Sequence, residues 1–151
     1  MIPVLWTSAD AEAATGGRGN RPWLARGISI DTRTLAHDDL FIAIKGETHD
    51  GHDHLEAAFS AGASAAMIDH IPHGASLDSR ALLMVRDTIE AVTRLGAAAR
   101  ARAPDVRAVA VTGSVGKTST KDALRHVLAA QAPTHGAAAS FNNHIGVPVT
   151  L

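Results

Sequence analysis

A glycine-containing loop near residue 115 has the composition of a phosphate-binding loop. Glycine at positions 113 and 116 permits tight turns and a close backbone approach to a polyphosphate, so that amide groups and a helix dipole face the anion. Lys117 is placed to contact the β- and γ-phosphates, and the Thr118 hydroxyl to coordinate Mg²⁺. We therefore predict ATP and Mg²⁺ as ligands of the loop Thr112-Gly113-Ser114-Val115-Gly116-Lys117-Thr118-Ser119.

The residues on either side of this loop predict the strand and helix that it requires. The apolar segment 108–111 indicates a strand, and a helix is expected to continue to about Ala130. Its apolar side chains recur on one face and are predicted core positions: Leu124, Val127 and Leu128. The general pattern has glycine where this chain has Val111. An ordinary glycine-containing turn is therefore the alternative interpretation.

A histidine-rich segment, His49-Asp50-Gly51-His52-Asp53-His54, contains residue types that bind metals. Gly51 marks a turn, and no distant ligand pair with zinc-type spacing accompanies the segment. A substrate loop is thus favoured over a metal site. His70 and His73 flank a proline turn and are interpreted as solvated.

The bulk composition limits the function classes. A net charge of -1 gives no electrostatic footprint for nucleic acid or an anionic membrane. The absence of cysteine excludes disulfides and thiolate metal sites, and no apolar run approaches the length of a membrane span. We expect a cytoplasmic monomer that binds neither nucleic acid nor a membrane.

Alternating strand and helix patterns predict an α/β fold in two units, residues 1–85 and 86–151. Segment 16–22 is expected to be a surface loop, and Asp87 with Glu90 forms a capping box that starts the second unit. A single strand cannot bury a parallel sheet on both faces, so the second unit is expected to be truncated. The first unit is predicted to contain strands at 27–32, 40–44, 65–68 and 81–85, with a helix at 55–61.

These motifs together resemble the Mur ligase family, from about Gly27 to Leu151. The family has a shortened glycine loop in which valine at position 111 is normal. Its N-terminal domain is similar to this chain at Ser29-Ile30-Asp31-Thr32-Arg33, Asp39-Leu40-Phe41-Ile42-Ala43-Ile44-Lys45-Gly46 and Asp50-Gly51-His52. Segment 141–151, which begins Phe141-Asn142-Asn143-His144-Ile145-Gly146, resembles the branch that adds D-alanyl-D-alanine. His54 and His144 depart from the family pattern.

The resemblance implies a small N-terminal α/β domain that binds the UDP substrate, followed by the start of a P-loop-containing parallel-sheet ATPase domain. It implies the joining of D-alanyl-D-alanine to UDP-N-acetylmuramoyl-tripeptide through an acyl phosphate, in peptidoglycan precursor synthesis. The remaining Mg²⁺ ligands and a C-terminal domain would lie further along the chain. The implied UDP-site residues are Ile30, Thr32, Arg33 and Gly46. The implied ATP-site residues are Gly113, Ser114, Val115, Gly116, Lys117, Thr118 and Ser119. The resemblance also implies that Thr118 binds the metal and that Lys117 and Asn143 are catalytic.

Several alternatives remain open on the residues alone. Arg33 either contacts the substrate diphosphate or forms a surface ion pair with Asp31 or Asp38, and Asp31 has either a structural role or a direct contact. Asn142 and Asn143 either line the phosphate site or end a loop. The related ligase that adds diaminopimelate or lysine, and a nucleotide-binding module without ligase activity, are the competing functions.

Overall fold

The computed structural model describes residues 3–137 and 146–150. This part of the chain is mixed α/β, as expected, and is built around a five-stranded sheet in the order β2-β7-β6-β5-β4. A two-stranded ribbon, β1 with β3, lies apart from that sheet. The strands are β1 Trp6–Thr7, β2 Arg18–Gly19, β3 Leu24–Ala25, β4 Gly27–Ser29, β5 Asp39–Ile42, β6 Ala65–Ile68 and β7 Leu82–Met84. The helices are α1 Ser8–Thr15, α2 Leu55–Ser60, α3 Thr88–Arg102, α4 Lys117–Ala129 and α5 Gly146–Thr150, with a 3-10 turn at Gly51–His54.

Four adjacent strands, β4 to β7, run parallel to one another. One row of paired residues crosses them in register, through Ser29, Phe41, Ala66 and Leu82. β2 adds an antiparallel edge next to β7 and lies in the segment that was predicted to be a surface loop. That strand has only two residues, so its own sequence carries too little periodicity to predict it.

Both faces of the sheet are covered, because alternate residues of each strand point to opposite sides. One face packs against α1 and α3, with a core of Trp6, Ala11, Trp23, Ala25, Leu40, Ile42, Ala65, Met67, Leu83, Val85, Ala91, Val92 and Leu95. The other packs against α2, with a core of Phe41, Ala43, Leu55, Ala58, Phe59, Ala66, Ile68, Leu77 and Leu82. Both tryptophans are packing residues of this core, since Trp6 and Trp23 are 2% and 6% exposed.

Helix α3 begins where the capping residues predicted. The Asp87 side chain accepts a hydrogen bond from the backbone amide of Glu90 at 2.8 Å. Val92 and Leu95 lie in the same core as the sheet, so this core extends beyond residue 85. The boundary between the two units remains a prediction. In the part of the chain that the structure describes, no helix is both long enough and apolar enough to cross a membrane.

Two predictions for the region after α3 are wrong. Segment 108–111 forms no strand and is largely exposed, with Val109 62% exposed. A strand needs a hydrogen-bonded neighbour, and no strand among the described residues pairs with this segment. Helix α4 forms as predicted, but it has no buried residue, and Val127 and Leu128 are 57% and 37% exposed. The predicted core positions therefore lie on an uncovered helix face.

The contrast between α3 and α4 predicts unequal costs for the same truncation. Leu95→Ala should reduce the free energy of unfolding by about 2–5 kcal/mol because it leaves a cavity in the core. Leu128→Ala on exposed α4 should change it by less than about 0.5 kcal/mol. Urea denaturation of the two variants measures both values. Equal costs would show that α4 is packed or that α3 is not.

Candidate functional site

The turn that follows β4 is organised by Asp31. The Arg33 side chain donates to this carboxylate through Nε at 2.9 Å and through a terminal nitrogen at 2.6 Å. The backbone amide of Arg33 donates to the same group at 3.0 Å, and the Asp31 carbonyl accepts from the Thr34 amide at 3.1 Å. The structure therefore contains the Arg33–Asp31 ion pair and gives Asp31 a structural role in the turn.

This ion pair changes the acidity of Asp31. The hydrogen bonds from the side chain and backbone of Arg33 lower the pKa of Asp31 to about 2, against a small opposing effect of burial. The charge of nearby His54 contributes in the same direction, which shows that the 3-10 turn is close to this turn. The Arg33 side chain is 86% exposed. Its guanidinium is thus held at one end by Asp31 and open to solvent over most of its surface.

The loop after β5 is closed by backbone contacts. The Gly46 amide donates to the His49 carbonyl at 2.8 Å, and the Gly51 amide donates to the Ile44 carbonyl at 2.9 Å. A β-carbon at Gly51 would lie 2.6 Å from the Ile44 nitrogen, so only glycine permits this approach. The backbones of Lys45 and Asp50 pair as an isolated antiparallel β-bridge across the loop.

The four predicted UDP-site residues follow the carboxyl ends of two neighbouring parallel strands. Ile30, Thr32 and Arg33 follow β4, and Gly46 follows β5. Ligands of parallel α/β sheets bind at this edge. Ile30 packs against the α1/α3 core, Thr32 is half-buried, and Gly46 is exposed. The side chain of Ile30 is therefore mainly a packing residue, and its backbone is the part left for a ligand.

A cluster of histidines and carboxylates lies beside this edge. His52 is buried, and its Nδ1 lies 2.6 Å from an oxygen of Asp50. Its Nε2 lies 3.3 Å from both the backbone nitrogen and a carboxylate oxygen of Asp69. His70 stacks on His52 with ring centroids 3.9 Å apart and also contacts Asp69 at 2.6 Å. His70 is exposed, as expected, but it also packs on a histidine that is 18 residues away in sequence, a contact that the sequence did not indicate.

The carboxylate of Asp50 is held in its charged form by this cluster. Burial opposes ionisation of Asp50, but hydrogen bonds from the backbone and ring of His52 outweigh it and lower the pKa of Asp50. The charges of His52 and His70 act in the same direction. The sequence indicated His52 only as part of the histidine-rich segment, and it did not indicate the burial of His52 or its contacts with Asp69 and His70.

The glycine loop leads directly into α4. Gly113 and Gly116 have φ angles of +146° and +80°, in the region that side chains disfavour, and Gly116 is the N-cap. The Lys117 ammonium turns back and donates to the Gly113 carbonyl at 2.5 Å. The first-turn amides of a helix have no intrahelical acceptor and carry the positive end of its dipole. This geometry presents amide donors and a lysine at one helix end.

The loop is open to solvent. Val115 is 91% exposed, and Ser114, Thr118 and Ser119 are also exposed. The other predicted catalytic residue, Asn143, lies outside the described residues, as do Asn142 and His144.

Comparison with known proteins identifies the family. Residues 111–151 match the family model described as the Mur ligase middle domain. Over 126 residues the chain is 42% identical to a Bacillus subtilis protein named UDP-N-acetylmuramoyl-tripeptide--D-alanyl-D-alanine ligase, covering 83% of the chain and 27% of that protein. An Escherichia coli protein of the same name is 40% identical over 124 residues, covering 82% of the chain and 26% of that protein. This chain belongs to the Mur ligase family.

A solved Mur ligase structure supports the same assignment. The crystal structure of MurF from Acinetobacter baumannii aligns with 97% of this chain and 33% of its own, with a TM-score of 0.79 and 32% identity. The chain thus spans about a quarter of the length of the curated Mur ligases it matches.

The short Asp31–Arg33 contact predicts a specific titration. Because the pKa of Asp31 is lowered to about 2, its ion pair should persist above pH 4 and be lost as the pH falls towards 2. Arg33→Gln should raise the pKa of Asp31 towards the ordinary range of aspartate, because it removes the guanidinium hydrogen bonds and keeps the one from the backbone amide. Carboxyl-carbon NMR shifts recorded against pH measure this value. Arg26→Gln, which removes a contact to Asp38 instead, is the matched control and should leave Asp31 unchanged.

Proposed function

We propose that this chain is part of an ATP-dependent ligase that joins D-alanyl-D-alanine to UDP-N-acetylmuramoyl-tripeptide in peptidoglycan precursor synthesis. The observation that carries the proposal is 40–42% identity over four fifths of the chain to relatives with that name. A cytoplasmic monomer fits this activity, since both substrates are soluble small molecules.

The glycine loop is proposed as the ATP site. A helix N-terminus with glycines at positive φ and a lysine turned over the loop offers converging donors for the β- and γ-phosphates. A phosphate would replace the Gly113 carbonyl as the partner of the Lys117 ammonium. Thr118 supplies a hydroxyl oxygen, a ligand type that Mg²⁺ accepts alongside phosphates, and Mg²⁺ bound there would neutralise charge on the transferred phosphoryl group.

The edge formed by the loops after β4 and β5 is proposed as the UDP site. Arg33 offers the exposed part of its guanidinium to the substrate diphosphate while Asp31 holds the other part in place. The Thr32 hydroxyl and the backbone of Ile30 and Gly46 would complete the contacts. Asp31 then acts by positioning Arg33 and does not contact the substrate.

The proposed chemistry proceeds in two balanced steps. A carboxylate oxygen of the tripeptide attacks the γ-phosphorus of ATP, which forms an acyl phosphate and releases ADP. The amine of D-alanyl-D-alanine then attacks the acyl carbon, loses a proton and expels inorganic phosphate. Lys117 would neutralise charge in the first step, and Asn143 is proposed to line the same site.

The names of the relatives favour this acceptor over the competing one. Proteins at 40–42% identity from three organisms are all named for D-alanyl-D-alanine.

A protein of the relatives' full length should release phosphate from ATP only with both UDP-N-acetylmuramoyl-tripeptide and D-alanyl-D-alanine. Phosphate release with diaminopimelate or lysine and the dipeptide-stage precursor would indicate the related ligase instead.

Replacing the loop lysine should abolish turnover in that full-length protein. Lys117→Ala removes a phosphate contact, so kcat should fall by about 10²–10³ or more. Lys121→Ala is the matched control, because Lys121 lies one turn further along α4 and donates to the Ala137 carbonyl. A coupled phosphate assay measures the rates, and melting temperatures check the fold. An unaffected rate in Lys117→Ala would place the ATP site elsewhere.

The 151-residue chain itself should bind the UDP precursor without ligase activity. Thr32→Ala should weaken this binding by about 2- to 10-fold through loss of one hydrogen bond, while Thr93→Ala on α3 should have no effect. Calorimetric titration with UDP-N-acetylmuramoyl-tripeptide provides the affinities.

In hydrogen exchange, amides of 106–115 should exchange much faster than those of β6. Product formation by this chain, or equal protection of both segments, would contradict the assignment.

A further inference from the structure

We propose that Asp50, His52 and His70 form a binding site for a divalent transition-metal ion such as Zn²⁺. Within residues 3–137 and 146–150 these side chains form the one group of three donors whose ligand atoms all lie within 4.8 Å of one another. Tetrahedral Zn²⁺ has bonds of about 2.0–2.2 Å, which place its ligands roughly 3–3.5 Å apart. The side chains must therefore move from their present separation, and the stacked histidine rings must turn, to enclose the ion. This inference does not depend on ligase activity.

Rigid elements hold two of the three ligands. The side chain of His52 is 1% exposed, and it lies in the 3-10 turn that joins the β5 loop to α2. Asp50 is the N-cap of that turn and accepts from the His52 amide at 3.0 Å. His70 follows the end of β6 and its side chain is 47% exposed, so its ring has room to turn towards an ion. A partly preformed site loses less entropy on binding.

Asp69 is placed to orient both imidazole rings. Histidine ligands commonly donate their second ring N–H to a carboxylate, which fixes the tautomer and strengthens the ligand. One oxygen of Asp69 lies 3.3 Å from Nε2 of His52 and 2.6 Å from Nδ1 of His70. In this structure Nε2 of His52 accepts from the Asp69 amide, and Nδ1 lies 2.6 Å from an oxygen of Asp50. Metal binding through Nδ1 therefore requires the other tautomer, in which Nε2 donates to the Asp69 carboxylate 3.3 Å away. His70 contacts Asp69 through Nδ1 and offers Nε2 to the metal.

The charge of the cluster also favours a cation. Asp50 and Asp69 contribute two carboxylates, and both form close contacts with the histidines of the cluster. A divalent cation would neutralise charge on both carboxylates.

The test is Zn²⁺ titration of the 151-residue chain by calorimetry, with Co²⁺ absorption spectra as a second measure of coordination. We expect one ion per chain with a Kd of about 10 µM or below. His70→Ala should weaken binding at least about tenfold, and Asp69→Asn by about 10–100-fold. Because His70 is half-exposed, its replacement should leave the fold intact, as melting temperature will show.

His73→Ala is the matched control, since His73 is an exposed histidine of the same connection outside the cluster. It should leave the Zn²⁺ affinity unchanged. Ring-nitrogen NMR signals of His52 and His70, and not of His73, should shift on addition of Zn²⁺. Absence of binding, or weak binding to several sites that persists in His70→Ala, would overturn the proposal.

Discussion

Burial of the parallel strands on both faces is the constraint on which the rest of this structure depends. A parallel sheet is stable when helices cover each side, and here α1 and α3 cover one face while α2 covers the other. The connections must then return over the faces, so the four parallel strands β4 to β7 all end at the same edge of the sheet. The turn at Asp31, the loop at Gly46 and the cluster at His52 are brought together by this topology, although they are separated in sequence.

The same constraint explains why the chain after α3 behaves differently. Segment 108–111 has strand composition, yet no strand among the described residues pairs with it. Helix α4 has an apolar face with Val127 and Leu128, and that face is exposed. Composition and periodicity show which side chains of a segment could pack in a core. Whether they are buried depends on a second strand or helix that covers them.

Features that depend on residues close together in the sequence were predicted more accurately than features that depend on distant partners. β6, the start of α3 at Asp87 and the extent of α4 depend on nearby residues and were predicted closely. β2 and the β1/β3 ribbon have two residues in each strand, and their pairing depends on distant partners, so no local pattern indicates them. The stacking of His70 on His52 was not predicted for the same reason, because the alignment of β5 with β6 brings these two residues together. The sequence could not distinguish the two roles considered for Arg33, contact with the substrate diphosphate and an ion pair with an aspartate, since both use the positive charge of its guanidinium.

The glycine loop illustrates how far local determinants extend. Two glycines at positive φ lead into a helix N-terminus here, which is the geometry that the proposed phosphate site would use, even though the helix has no buried residue. Forming the loop is not enough for catalysis. Transfer of a phosphoryl group would also require the loop and the acceptor carboxylate to be held within ångströms of each other. The sheet holds the proposed UDP edge rigidly through buried strands, while the described part of the glycine loop rests on exposed contacts such as Lys117 to Gly113. The proposed UDP site would therefore need only the N-terminal sheet, whereas the proposed catalysis would also need packing around α4.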